Sequence, residues 1–161
     1  MNIKIEHNIA IINREKVILP ERIDEFLIFR DMVVLLVYPS SLDIDWGTSG
    51  DKERWLSKFN WEGGNVFCYD AKGALLWQWH EKGITGMRLV DQEYIEEQRR
   101  SINTSRETLL EKGYSEDKIV AKDYVNPLLH PEGQIELFNG IGMAHLVEIA
   151  TGKELDRWET R

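Results

Sequence analysis

The sequence predicts an α+β protein that is predominantly β. Its antiparallel sheets are built from β-hairpins in a sandwich-like or partial-propeller arrangement, with a short helix near 52–59 and a helical insertion near 91–113. Three observations carry this prediction. Apolar residues recur with period two or in short β-prone runs along much of the chain. Two turns containing glycine each sit between such runs, at Asp70–Gly73 and at Ala150–Lys153. Between them, residues 91–118 change to helical spacing.

The opening segment alternates at Ile3, Ile5, Ile9 and Ile11, meets Asn13-Arg14-Glu15-Lys16, and resumes at Val17-Ile18-Leu19 before Pro20, which reads as strand, turn, strand. Ile23, Phe26 and Ile28 continue the strand pattern. Met32–Tyr38 is fully apolar and is expected at the centre of a sheet, with Asp31 turning into it and Pro39 ending it, because proline cannot donate to a ladder. Turn formers from Asp43 to Asp51 precede a short helix over Lys52–Phe59, with Asp51 as its expected N-cap and Trp55, Leu56 and Phe59 on one face.

The segment 65–79, NVFCYDAKGALLWQW, places two β-prone runs around Asp70-Ala71-Lys72-Gly73. An aspartate that accepts turn hydrogen bonds and a glycine that takes positive φ make it a hairpin. Tyr94, Ile95, Gln98 and Ile102 then fall at helical spacing. Thr104-Ser105-Arg106-Glu107 has capping-box form before Leu109 and Leu110, and Gly113 stops the run. Ile119–Ala121 and Ile135–Phe138 read as strands around a 127–133 loop. Ala144–Ile149, the Ala150–Lys153 turn and Glu154–Trp158 form a second hairpin of the first kind.

These two hairpins share a hydrophobic strand, a glycine turn, a leucine and a tryptophan. Val66–Trp77 and Thr151-Gly152-Lys153-Glu154-Leu155 resemble the outer-strand motif of quinoprotein-type (PQQ-repeat) β-propeller blades. The resemblance covers about 30 of 161 residues. It departs from the pattern where the first copy lacks the turn threonine and the second has Ala150 in place of aspartate, and it carries no quinone-binding residue across. The wider layout, with an early β segment, the Val33–Leu36 strand and then Asn65-Val66-Phe67, resembles small bacterial proteins of the toxin-immunity type.

At 161 residues one domain, 1–161, is expected, and a chain of this size buries roughly 70% of its unfolded surface. Cys68 is the sole cysteine and lies between Phe67 and Tyr69, so no intrachain disulfide forms and its expected role is that of a small buried hydrophobe. The N-terminal alternation has no basic region followed by an apolar run, so no secretory signal is expected and the cytoplasm is the expected compartment. The longest apolar run falls far short of the roughly 20 residues a membrane span needs. A net charge of −8 argues against nucleic acid as a partner, since phosphate binding relies on clustered cations. The acid is concentrated: Asp43–Glu53 holds four acids against Lys52, and Asp91–Asp117 holds eight against four bases.

No catalytic or metal site assembles from the motifs, and no cofactor is expected. A calcium loop starting at Asp43 would put Thr48 where the turn requires glycine and Arg54 where a bidentate glutamate belongs. Gly47–Lys52 lacks phosphate-loop spacing. His7, His80, His130 and His145 are scattered, with no paired ligand spacing. Three functional expectations follow. In the first, the chain is a non-catalytic binding protein that neutralises a cognate toxin, a nuclease being one candidate. Asp43, Asp45, Trp46, Asp51, Glu53, Glu93, Glu96 and Glu97 would face the basic partner, because clustered carboxylates steer association and an exposed aromatic supplies an anchor. In the second, a small-molecule-binding or enzymatic domain uses the Trp77/Trp79 hairpin and His80. Core packing is the competing reading of the two tryptophans, and a hydrogen-bonded pair with Glu81 is a reading of His80. A subunit that assembles through exposed strand edges is a third.

Overall fold

The computed structural model describes residues 1–38, 51–91, 93, 94, 96, 97, 100, 107, 108, 110–113, 133–140 and 142–160. The expected strand at 119–121, the Asp43–Gly50 loop and His130 lie outside them. By contact density the chain divides into two compact units, Met1–Arg88 with Ile135–Arg161, and Leu89–Gln134.

The structure is mostly β, in three antiparallel sheets. The first holds β1 (Ile3–Glu6), β2 (Ile9–Ile12) and β3 (Glu15–Ile18) in chain order. The second holds β4 (Ile23–Phe29), β5 (Met32–Val37), β6 (Val66–Asp70) and β7 (Leu75–Gln78), again in chain order, with α1 (Asp51–Ser57) between β5 and β6. The third holds β8 (Ile84–Val90), β9 (Gln134–Asn139), β10 (Met143–Glu148) and β11 (Glu154–Glu159). Each sheet is a meander, so every strand pairs with its sequence neighbour across a short turn or an inserted segment.

The opening segment contains one more turn than its alternation predicts. Glu6 pairs with Ile9, so His7 and Asn8 form a two-residue hairpin with His7 at φ 53°. Asn13-Arg14 forms the next, with both residues at positive φ, as a type I′ turn requires. Arg30-Asp31 closes the β4–β5 hairpin where Asp31 predicts it. In the Asp70–Gly73 turn, Asp70 Oδ1 accepts from the Lys72 and Ala74 amides, both at 2.9 Å, and Gly73 takes φ 78°.

The apolar run of β5 is explained by burial on both faces. Val33, Leu35 and Val37 join Phe67 and Tyr69 of β6 in a cluster with Ala10, Ile12, Val17 and Leu19 of the first sheet and its exit. Cross-strand pairing of Val33 with Tyr69 and Leu35 with Phe67 sets that face. The opposite face carries Val34, Leu36, Val66 and Cys68, all buried, and Cys68 Sγ lies 3.8 Å from Ile149 O beside the third sheet. A strand with a core on either side reads as a continuous apolar run, not as an alternation.

Asn65 joins the second sheet to the start of the third. It is fully buried, its amide donates to Val37 O at 3.0 Å and Ile84 O at 2.8 Å, and its Oδ1 accepts from Ile84 N at 3.1 Å. In the unit Leu89–Gln134, the backbone is helical at Glu93, Tyr94, Glu96, Glu97 and Arg100 and again at Glu107, Thr108, Leu110 and Glu111. Asp91 caps the first stretch by accepting from the Tyr94 amide at 2.8 Å.

Candidate functional site

Polar groups converge where the 79–83 segment, linking β7 to β8, meets β10 and β11. His145 on β10 is buried, with its side chain only 3% exposed. Its Nδ1 lies 3.2 Å from Glu154 Oε2, and its Nε2 lies 3.4 Å from Glu81 Oε2. The other Glu81 oxygen is 3.4 Å from His80 Nε2, and the other Glu154 oxygen accepts from Arg157 Nε at 2.7 Å. Trp79 covers the cluster, with its ring centroid 4.4 Å from that of His80 and 5.4 Å from that of His145.

Local folding explains the convergence. Glu154 opposes Val147, and His145 shares the Val147 face of β10 because it lies two residues away, so Glu154 and His145 are diagonal neighbours. A register shift between Leu146 and Val147 adds twist at this point. Glu81 arrives from a non-strand link, and for that reason His80 and Glu81 can meet although neighbours on a strand would diverge. The link is anchored at its start by the Gly64 amide, which donates to Trp79 O at 2.7 Å.

Two buried polar atoms here lack a hydrogen-bond partner: Trp79 Nε1 and His145 Nε2. The 3.4 Å approach of Nε2 to Glu81 is therefore an ion-pair distance without hydrogen-bond alignment. Among the described residues no three His, Cys, Asp or Glu side chains are placed to hold a metal ion together.

The residues singled out by sequence fall elsewhere. Asp43, Asp45 and Trp46 lie outside the described residues. Asp51 begins α1, and Glu53 is exposed on it. Glu93, Glu96 and Glu97 are exposed on the helical stretch of the second unit. Trp77 and Trp79 are both buried, the first in β7 and the second just beyond it, as the core reading of these residues expects. His80 is exposed, and its contact with Glu81 is the pair considered from sequence. Sequence reasoning missed His145 and Glu154. The only signal it offered was their place on either side of the 150–153 turn.

No protein family matches the chain, nor does any curated protein or solved structure. Among the described residues no helix is long and apolar enough to cross a membrane.

Proposed function

We propose that this chain is a non-catalytic cytoplasmic binding protein of the immunity type, which neutralises a basic toxin protein through exposed carboxylates. The observation that carries the reading is the set Glu93, Glu96 and Glu97, exposed on one helical stretch at i, i+3 and i+4 spacing, so that three like charges share a face. Glu53 on α1 adds a further exposed acid. Fields of this sign raise the encounter rate with a cationic partner and repel nucleic acid.

The test is capture of the basic protein encoded beside this chain, followed by rescue of growth when that protein is expressed. Reversing all three charges (E93K, E96K, E97K) is expected to slow association by tenfold or more at low salt and to flatten its dependence on ionic strength. Rescue that survives the triple reversal unchanged would overturn the reading. The small-molecule alternative built on Trp77 and Trp79 is disfavoured by their burial, since neither indole presents a face to solvent.

A further inference from the structure

We infer that the chain forms a two-fold dimer with a second copy of itself, in which β4 pairs with β4 of the partner, antiparallel and centred on Leu27. β4 is the terminal strand of its sheet, and among the described residues no strand pairs with its outer side. Phe26 and Ile28 on this strand are 42% and 40% exposed. A free strand edge that also shows apolar side chains is a template for another strand, because its amides and carbonyls lack ladder partners.

The alternation of ladder bonds fixes which backbone groups are free. Val37 N donates to Asn65 O, so Val33, Leu35 and Val37 of β5 turn their amides toward β6, and Val34 and Leu36 turn theirs toward β4. Leu27 lies opposite Val34 and is bonded to it, whereas Phe26 and Ile28 direct both N–H and C=O outward. Antiparallel pairing about Leu27 sets each outward residue against another: Phe26 faces the partner's Ile28, and Ile28 faces the partner's Phe26. Each of these pairs exchanges both backbone hydrogen bonds and brings an aromatic ring against a branched side chain on one face of the joined sheet. On the other face Leu27 meets the partner's Leu27. The same register puts Asp24 opposite the partner's Arg30, an acid against a base at both ends of the contact. Moving the centre to Phe26 or to Ile28 loses these matches, since Ile28 would then face the partner's Asp24, or Phe26 the partner's Arg30.

The remaining edges are unsuited to the same use. Lys4 stands on β1, Lys16 on β3, Arg88 on β8 and Arg157 on β11, and a charged side chain on an edge discourages a further strand. β7 is four residues long, and its Trp77 is committed to Ile149 O. β4 carries no charge from Phe26 to Phe29. Because both copies contribute the same edge, pairing consumes it, and the assembly closes at two chains instead of growing into a fibre. Glu93, Glu96 and Glu97 lie outside β4, so the dimer and the capture of a basic protein are independent of each other.

Sedimentation velocity of the full chain across a range of concentrations tests the dimer, with amide hydrogen exchange read at the dilute and concentrated ends. Wild type is expected to pass from monomer to dimer as concentration rises. The Phe26 and Ile28 amides are expected to slow by about tenfold or more with it, while Leu27, already bonded to β5, stays slow throughout. Ile28→Pro removes an outward N–H without touching the β4–β5 ladder, a change that edge strands accept, and is expected to weaken the dimer by about tenfold or more. Arg30→Asp sets two acids against each other and is expected to weaken it by about tenfold. D24R combined with R30D is expected to restore it, since acid and base have exchanged places. A chain that stays monomeric at every concentration would overturn the inference, as would a dimer in which the Phe26 and Ile28 amides exchange as fast as in the monomer. Dimerisation that R30D leaves unchanged, or that the double variant fails to recover, would do the same. If Ile28→Pro does not fold, the wild-type exchange pattern and the charge exchange still decide.

Discussion

Trp77 rests its indole on Gly152 and donates Nε1 to Ile149 O at 2.6 Å. A Cβ on Gly152 would stand 2.6 Å from Trp77 Cγ and 2.7 Å from Cδ2, and Gly152 also takes φ 74°. One hairpin turn of the third sheet thus accepts an edge strand of the second. The same relation, with smaller groups, joins the first two sheets, where Gly73 at φ 78° lies against Glu15 and Val17 of β3. At both contacts a positive-φ glycine in a hairpin turn lets the preceding sheet approach the backbone.

Gly152→Ala is accordingly expected to cost about 2–4 kcal/mol, from roughly 1–2 kcal/mol of left-handed backbone strain plus the displacement of Trp77. Trp77→Phe is expected to lose about 2–3 kcal/mol through the vacated ring volume and the lost hydrogen bond. Combined, the two should cost less than the sum of the single changes, because the smaller ring makes room for the new methyl. Urea denaturation of the four proteins measures this directly. Strict additivity would show that the two residues do not share one contact.

Asn65→Ala removes three hydrogen bonds at once and strands Val37 O, Ile84 N and Ile84 O in the interior. Each stranded group costs about 1–3 kcal/mol, so a loss of at least about 3 kcal/mol is expected. Asn65→Asp should be no better, since it keeps the acceptor, loses both donors and buries a carboxylate. Thermal denaturation of both variants checks the ranking.

These contacts also show what sequence could and could not reveal. The Asp70–Gly73 hairpin was legible because its chemistry is local: the aspartate and the glycine that make the turn are three residues apart, and their geometry is as their types require. The apolar run of β5 announced a central strand for a similar reason. The His7-Asn8 turn was hidden because it contains neither glycine nor proline, and a histidine takes the positive φ. β8 was hidden because Thr85, Gly86 and Arg88 break its apolar pattern. The His145 cluster was illegible because it depends on a register shift in β10–β11 and on where the 79–83 link crosses, neither of which leaves a mark on residue spacing. The helical character of the stretch carrying Glu93, Glu96 and Glu97, by contrast, could be read from the spacing of Tyr94, Ile95, Gln98 and Ile102, and the three glutamates are exposed there.

Cys68 is expected to be unreactive in the native protein. Burial, with a smaller contribution from the nearby Asp70 charge, pushes its thiol up to about 12, so almost no thiolate exists at pH 8. Reaction with a disulfide reagent should therefore proceed at the rate of opening, and it should become complete within minutes in denaturant. Rapid labelling in buffer at pH 8 would show that the sheet around β6 opens readily.

Glu25 supplies a prediction with a definite sign. Desolvation raises its pKa, the Asp24 carboxylate raises it further, and a hydrogen bond from the Met87 backbone acts in the opposite direction. A carboxyl whose folded pKa is raised holds its proton more tightly in the folded than in the unfolded chain, so at neutral pH, with both forms ionised, it opposes folding. That opposition fades as pH falls through the folded value and is gone below the unfolded one. Glu25→Gln, whose amide oxygen can still accept from Met87, is therefore expected to raise the melting temperature at pH 7. The advantage should shrink steadily toward pH 4. Asp24→Asn should raise it by less, because it removes only the secondary cause. Melting curves recorded from pH 4 to pH 8 would reject the assignment if the advantage of Glu25→Gln were constant across the range or grew on the acid side.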